Sequence, residues 1–238
     1  VLALAWLALL HLWAAFAVHV LPLARPSPWG QAANERAPYF ARYDSAWYGD
    51  IARDGYGPPP PPGTESAHAF FPLYPMLARG LHLLTGLDPL RALTAISWIA
   101  FVFALPLFGE ESRARLGPDR ARGPLPFLLL YPVAFFFAAA YTESLFLLLL
   151  LLAFRLIRTE HPLAAILVGL LLGLTRAPAA AVGPALALAY ALRPDSRKRL
   201  PISAALAVAP LAGVLAYVLG IGWWKGEPGL FFRSMGAW

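Results

Sequence analysis

Cysteine is absent from the 238 residues, so the chain has no disulfide, no thiolate nucleophile and no thiolate metal ligand. Charge is scarce as well: charged residues make up 13% of the sequence against 59% hydrophobic ones, and the mean hydropathy is +0.61. That balance leaves too little polar surface for a soluble globule and points to an integral membrane protein. The period-two alternation of barrel strands is missing, and lipid-facing backbone must satisfy its own hydrogen bonds, so the spans are expected to be helices. No Gly-x-x-x-x-Gly-Lys phosphate loop, Gly-x-Gly-x-x-Gly turn or Gly-x-Ser-x-Gly elbow occurs, which gives nucleotide-driven chemistry no support. His11, His19, His68 and His82 show no metal-ligand spacing and read as structural; no cofactor is expected, and the residues lend a divalent metal no support.

What is present is a series of apolar runs, at residues 1–23, 69–84, 90–108, 124–157, 162–192 and 201–224. They predict an all-α, polytopic transmembrane bundle, a single domain over 1–238 with an outer loop at 25–68. Val rather than Met stands first, and the last residues follow closely on an apolar run, so further helices are expected beyond both ends. The first run is too long for the core of a cleaved signal and reads as a retained span.

A crossing takes roughly 20 residues, and the runs at 124–157 and 162–192 are longer than one crossing needs. Basic residues choose between one crossing and two. Arg113, Arg115, Arg120 and Arg122, then Arg193, Arg197, Lys198 and Arg199, lie in short loops that the positive-inside rule places in the cytoplasm. Breaks near Tyr141 and Arg176 would put Arg155 and Arg158 there too. Pro132 and Pro178 favour those breaks, because proline removes a backbone donor and turns its predecessor away from the helix. The net charge of +6 therefore sets topology and predicts no nucleic-acid partner.

Chemistry-bearing residues gather outside the runs. Residues 42–56 carry Asp44, Asp50 and Asp54 among Trp47, Tyr48 and Tyr56. Asp50 and Asp54 share a helix face at a spacing of four, while Asp44 lies apart from them. The bland alternative is a solvated loop anchored by aromatic rings at the interface. Glu143 and Arg176 sit within apolar surroundings, where an ionisable group costs on the order of 2.5–3.5 kcal/mol and needs a partner or a wet cavity. They mark a polar interior site, or else a structural ion pair or caps of broken helices. Residues 70–75, Phe-Phe-Pro-Leu-Tyr-Pro, suit a bent element, and the five prolines at 58–62 predict an extended strut of about 15 Å.

Three segments in order resemble the membrane mannosyltransferase family that includes the enzyme adding the second mannose of the glycosylphosphatidylinositol anchor. They are Tyr43-Asp44-Ser45-Ala46-Trp47-Tyr48 with Ile51-Ala52 and Gly55-Tyr56, then residues 69–75, then Tyr131-Pro132 through Tyr141-Thr142-Glu143-Ser144-Leu145-Phe146. Tyr43 stands where the family has tryptophan. Arg176, after Gly173-Leu174-Thr175, looks like the family's arginine, although Ala-Pro-Ala follows it here in place of Ser-Asn-Gly.

The resemblance implies a GT-C glycosyltransferase fold, a polyprenyl-phosphate sugar donor, inversion at the anomeric carbon and a glycolipid, glycan or protein acceptor. It also implies a multi-pass protein of the bacterial plasma membrane, or of the endoplasmic reticulum in a eukaryote, with an extracytoplasmic site. In that frame Asp44 is the general base, Arg176 and Arg42 bind donor phosphate, and Trp47, Tyr48, Tyr56 and Glu143 shape the site. The alternatives are a transporter or lipid flippase, for which broken helices and buried charge also serve, and a non-catalytic membrane subunit.

Overall fold

The computed structural model describes residues 1–20, 40–41, 43–193 and 200–238, and within these every regular element is a helix. Residues 21–39, which include the first part of the outer loop, Arg42, and residues 194–199, with Arg197, Lys198 and Arg199, lie outside the described residues. The chain divides into two compact units, each assembled from separate stretches: residues 1–55 with 74–145, and residues 56–73 with 146–238.

The first unit is organised on α4 (Pro89–Leu116). Asp88 starts this helix by accepting from the backbone N–H groups of Leu90 and Arg91 at 3.0 and 3.4 Å, with Pro89 in the first turn, and Gly117 ends it at φ 79°. Sequence reading begins a basic loop at residue 109. The helix instead runs through Arg113 and Arg115, where cations meet the negative end of the helix dipole. Around α4 stand α1 (Leu2–Val20), α2 (Ser45–Asp54), α3 (Leu73–Thr85), α5 (Pro124–Leu130) and the start of α6 (Glu143–Arg158). Trp6 and Leu7 of α1 pack with Phe101 and Leu105 of α4 and with Ala134 and Ala138. The Trp6 indole N–H donates to the Leu129 carbonyl at 3.1 Å, so its one polar atom is satisfied.

The second unit is built on α9 (Leu200–Trp224), with α7 (Pro162–Gly173), α8 (Gly183–Ala191), α10 (Leu230–Met235) and the rest of α6. Small residues set its packing. A Cβ at Gly173 would meet the Pro210 carbonyl oxygen, one at Gly213 the Leu170 carbonyl oxygen, and one at Gly183 the Ala207 carbonyl oxygen. Gly169 and Gly173, four apart, thus form a small-residue face on α7 that lets its backbone approach α9, as helices pack in lipid.

The proline strut belongs to this unit and is pinned by cations. Lys225 Nζ donates to the Tyr56 carbonyl at 2.6 Å and Arg233 to the Pro60 carbonyl at 2.8 Å. Buried His68 holds the Gly57 carbonyl at 3.2 Å and Ser66 Oγ at 3.3 Å, which gives it the structural role expected.

Among the described residues, α4 and α9 are the two helices long and apolar enough to cross a membrane. The other apolar runs come out shorter. The 124–157 run is interrupted over 131–142 and the 162–192 run over 174–182, at the breaks expected near Tyr141 and Arg176. At the first, Tyr131 is extended ahead of Pro132, with ψ 136°. The resulting helices α5, α6, α7 and α8 have 7, 16, 12 and 9 residues.

Candidate functional site

The first unit presents a carboxylate that its own helix does not use. Asp44 occupies the N-cap of α2, where an aspartate usually accepts an N–H from the first turn, yet its side chain makes no capping bond. Backbone geometry is the reason. Capping needs an extended residue, whereas Asp44 is helical at φ −55°, ψ −21°. Tyr43 before it is left-handed at φ 52°, a conformation that costs a bulky residue on the order of 1–3 kcal/mol. Strain at Tyr43 therefore accompanies a carboxyl group that makes no bond to the helix it begins.

Burial raises the Asp44 pKa above the usual carboxylate range, and the negative charge of Glu143 raises it further. These two candidates thus act on one another. Among the described residues no third His, Asp or Glu joins them in a group able to hold a metal ion. Tyr141 completes the surroundings. Its phenol is raised by burial and by the Asp44 charge, while a hydrogen bond from the Asp44 backbone opposes the rise.

Position along α4 is equally informative. Gly49 lies against Leu90, so closely that a Cβ would come within 2.8 Å of Leu90 Cδ2. The helix that Asp44 begins therefore packs at the first turn of α4, the end opposite Arg113 and Arg115.

The aromatic candidates separate. Tyr48 is 8% exposed and sets its ring edge-on to Tyr74, with centroids 5.3 Å apart. Tyr56 belongs to the second unit, where its hydroxyl donates to the Phe70 carbonyl at 2.6 Å and its ring packs near Tyr217 and His68. Both rings are held by packing against other aromatic side chains of their own unit. Trp47 is half-buried on α2. Asp50 is committed to Arg53 at 3.0 Å on the exposed face.

Arg176 also lies in the second unit. It is half-buried and extended at φ −170°, ψ 152°, at the entry to the 3₁₀ turn Ala177–Val182. Its guanidinium carbon stands 6.0 Å over the Phe146 ring, at the edge of cation–π range. The preceding Thr175 is fully buried and returns its hydroxyl to the Leu172 carbonyl at 2.6 Å.

Sequence reasoning passed over two participants. Ser97 is wholly buried in the apolar α4, and its hydroxyl donates to the Tyr141 carbonyl at 3.0 Å. Tyr141 stands out in the sequence as the place of a helix break and as part of the third resembling segment, without a role of its own. A lone serine inside the 90–108 run was the available signal, since a buried hydroxyl needs a partner. No protein-family model, curated protein or solved structure matches the chain.

Proposed function

We propose that the protein is a membrane glycosyltransferase of GT-C type, which transfers mannose from a polyprenyl-phosphate donor with inversion. The observation that carries this reading is Asp44: a carboxylate that caps nothing, feels the charge of Glu143 and begins a helix packed at the end of α4 opposite Arg113 and Arg115. Under the positive-inside rule that end of α4 is extracytoplasmic, where lipid-linked sugars are used as donors. The family resemblance supports the same assignment. The proposed architecture is a polytopic bundle in which the short apolar helices join α4 and α9 within the bilayer.

In the reaction, the Asp44 carboxylate accepts the proton of an acceptor hydroxyl while that oxygen attacks the anomeric carbon. The bond from that carbon to the phosphate oxygen breaks, and the lipid phosphate leaves with the electron pair on the opposite face. Phosphate is a competent leaving group, so one carboxylate is enough. Arg176 takes the phosphate in this reading, its planar fork of donors matching the oxygens on which charge grows. Glu143 orients and tunes Asp44.

The test is transfer itself. Full-length protein in lipid, given radiolabelled polyprenyl-phosphate mannose and candidate lipid, glycan or protein acceptors, is expected to yield a labelled product. Label crossing the bilayer without a new glycosidic bond would assign the chain to transport instead. Arg176→Lys keeps the charge but loses the fork, so it is expected to raise the donor KM by about tenfold and leave the acceptor KM unchanged. Equal effects on both substrates would make Arg176 a structural residue.

A further inference from the structure

Among the described residues, 40, 41 and 43 lead into Asp44 without forming a helix. What holds it is the irregular stretch between α5 and α6. The Ala140 N–H donates to the Phe40 carbonyl at 3.3 Å, and a hydrogen bond from the Asp44 backbone reaches the Tyr141 side chain. That stretch is in turn fastened to α4 at two adjacent residues. The Trp98 indole N–H donates to the Ala138 carbonyl at 3.0 Å, and the Ser97 hydroxyl donates to the Tyr141 carbonyl at 3.0 Å. The Tyr74 hydroxyl lies 2.7 Å from Ser97 Oγ, within hydrogen-bond distance, and also donates to the Leu93 carbonyl at 2.9 Å, so both ends of this contact are anchored on α4. Tyr74 is fully buried on α3, and its ring meets Tyr48 of the helix that Asp44 begins.

These bonds run Tyr74 to Ser97 to the Tyr141 carbonyl, and from the Tyr141 side chain to the Asp44 backbone, and every member belongs to the first unit. A helix break in an apolar run needs partners for its backbone groups. Here the Ser97 and Trp98 side chains supply them, and the broken stretch carries the tyrosine that faces the acid. From this geometry we infer that Tyr141 is a positioning residue for Asp44, and that Ser97 and Tyr74 fix Tyr141 from the side of α4. The inference rests on the proposed sugar transfer for its catalytic meaning, but not for its structural content.

The experiment reads the two separately. Full-length wild type, Tyr141→Phe and Ser97→Ala in lipid nanodiscs are compared by hydrogen–deuterium exchange over residues 40–48 and by mannose transfer. Tyr141→Phe removes a single oxygen, and its amides at 43–48 are expected to exchange about tenfold faster, a factor that corresponds to one lost hydrogen bond. Ser97→Ala is expected to act in the same direction. Tyr217→Phe, which loses a comparable buried bond to the His68 carbonyl in the second unit, is expected to leave 43–48 unchanged. In an active chain the Tyr141→Phe turnover number falls about tenfold with the donor KM unaltered.

Unchanged exchange in both variants overturns the inference and leaves the proposed activity standing. Faster exchange with unchanged turnover in an active chain also overturns it, reducing Tyr141 to packing. Faster exchange in a chain whose wild type transfers no sugar supports the positioning of Asp44 by Tyr141 and removes the proposed reaction.

Discussion

Asp44→Asn is expected to lower mannose transfer by about 10²- to 10⁴-fold, the range for losing a positioned general base, while making the folded protein more stable near neutral pH. The two effects have one cause. Burial and the Glu143 charge raise the Asp44 pKa in the folded chain, so the fold binds that proton more tightly than the unfolded chain does. Stability from this group is complete below the unfolded pKa and is lost as pH rises through the folded one. Asparagine carries no charge to bury, so it escapes that loss, and with no capping bond made by Asp44 the exchange removes none. Transfer runs the other way: it needs the ionised carboxylate and falls as pH drops through the Asp44 pKa. The acidic limb should therefore lie above the ordinary carboxylate range in the wild type. Turnover against pH, beside thermal unfolding of both proteins in the same lipid, checks all three statements, and full turnover in the Asn variant removes Asp44 from the mechanism.

Gly213→Val is expected to destabilise the second unit by about 3 kcal/mol, the upper part of the range for overpacking. The reason is that nothing near Gly213 can move aside. A Cβ there would fall on the Leu170 carbonyl oxygen and within 3.0 Å of Gly173 Cα, both of them backbone, so α7 and α9 must separate. Gly220 on the same helix meets nothing within 4 Å, and Gly220→Ala is expected to stabilise by about 0.5–1 kcal/mol through the lower entropy of the unfolded chain. Opposite shifts from two glycines of one helix, measured as unfolding midpoints in nanodiscs, separate close approach from helix propensity. Equal shifts would show that α7 does not pack on α9 through glycine.

Hydropathy and proline placement made the helical class and both interruptions legible, because each is a local property. Pro132 and Pro178 act on their own neighbourhoods whatever surrounds them. The lengths of the helices were less legible. Six apolar runs were expected to yield crossings, but apolarity reports burial rather than continuous hydrogen bonding, and among the described residues two helices are long and apolar enough to cross. The division of the 42–56 stretch was not legible at all. Asp44, Trp47 and Tyr48 fall in one unit and Tyr56 in the other, since chain proximity does not say where a compact unit ends. The left-handed Tyr43 was equally hidden, because tyrosine seldom adopts that conformation.

The length of α4 has a bearing on where the acid works. At about 1.5 Å per residue, Leu90 and Arg113 stand roughly 35 Å apart, and a bilayer's oily interior is about 30 Å thick. In the proposed topology, with Arg113 and Arg115 resting on the inner leaflet, this one rod would lift the Asp44 segment a few ångströms clear of the hydrocarbon, to the depth of the phosphates on the far side. It would then act as a ruler, and a thicker membrane would draw the acid down from the layer in which the proposed substrates travel.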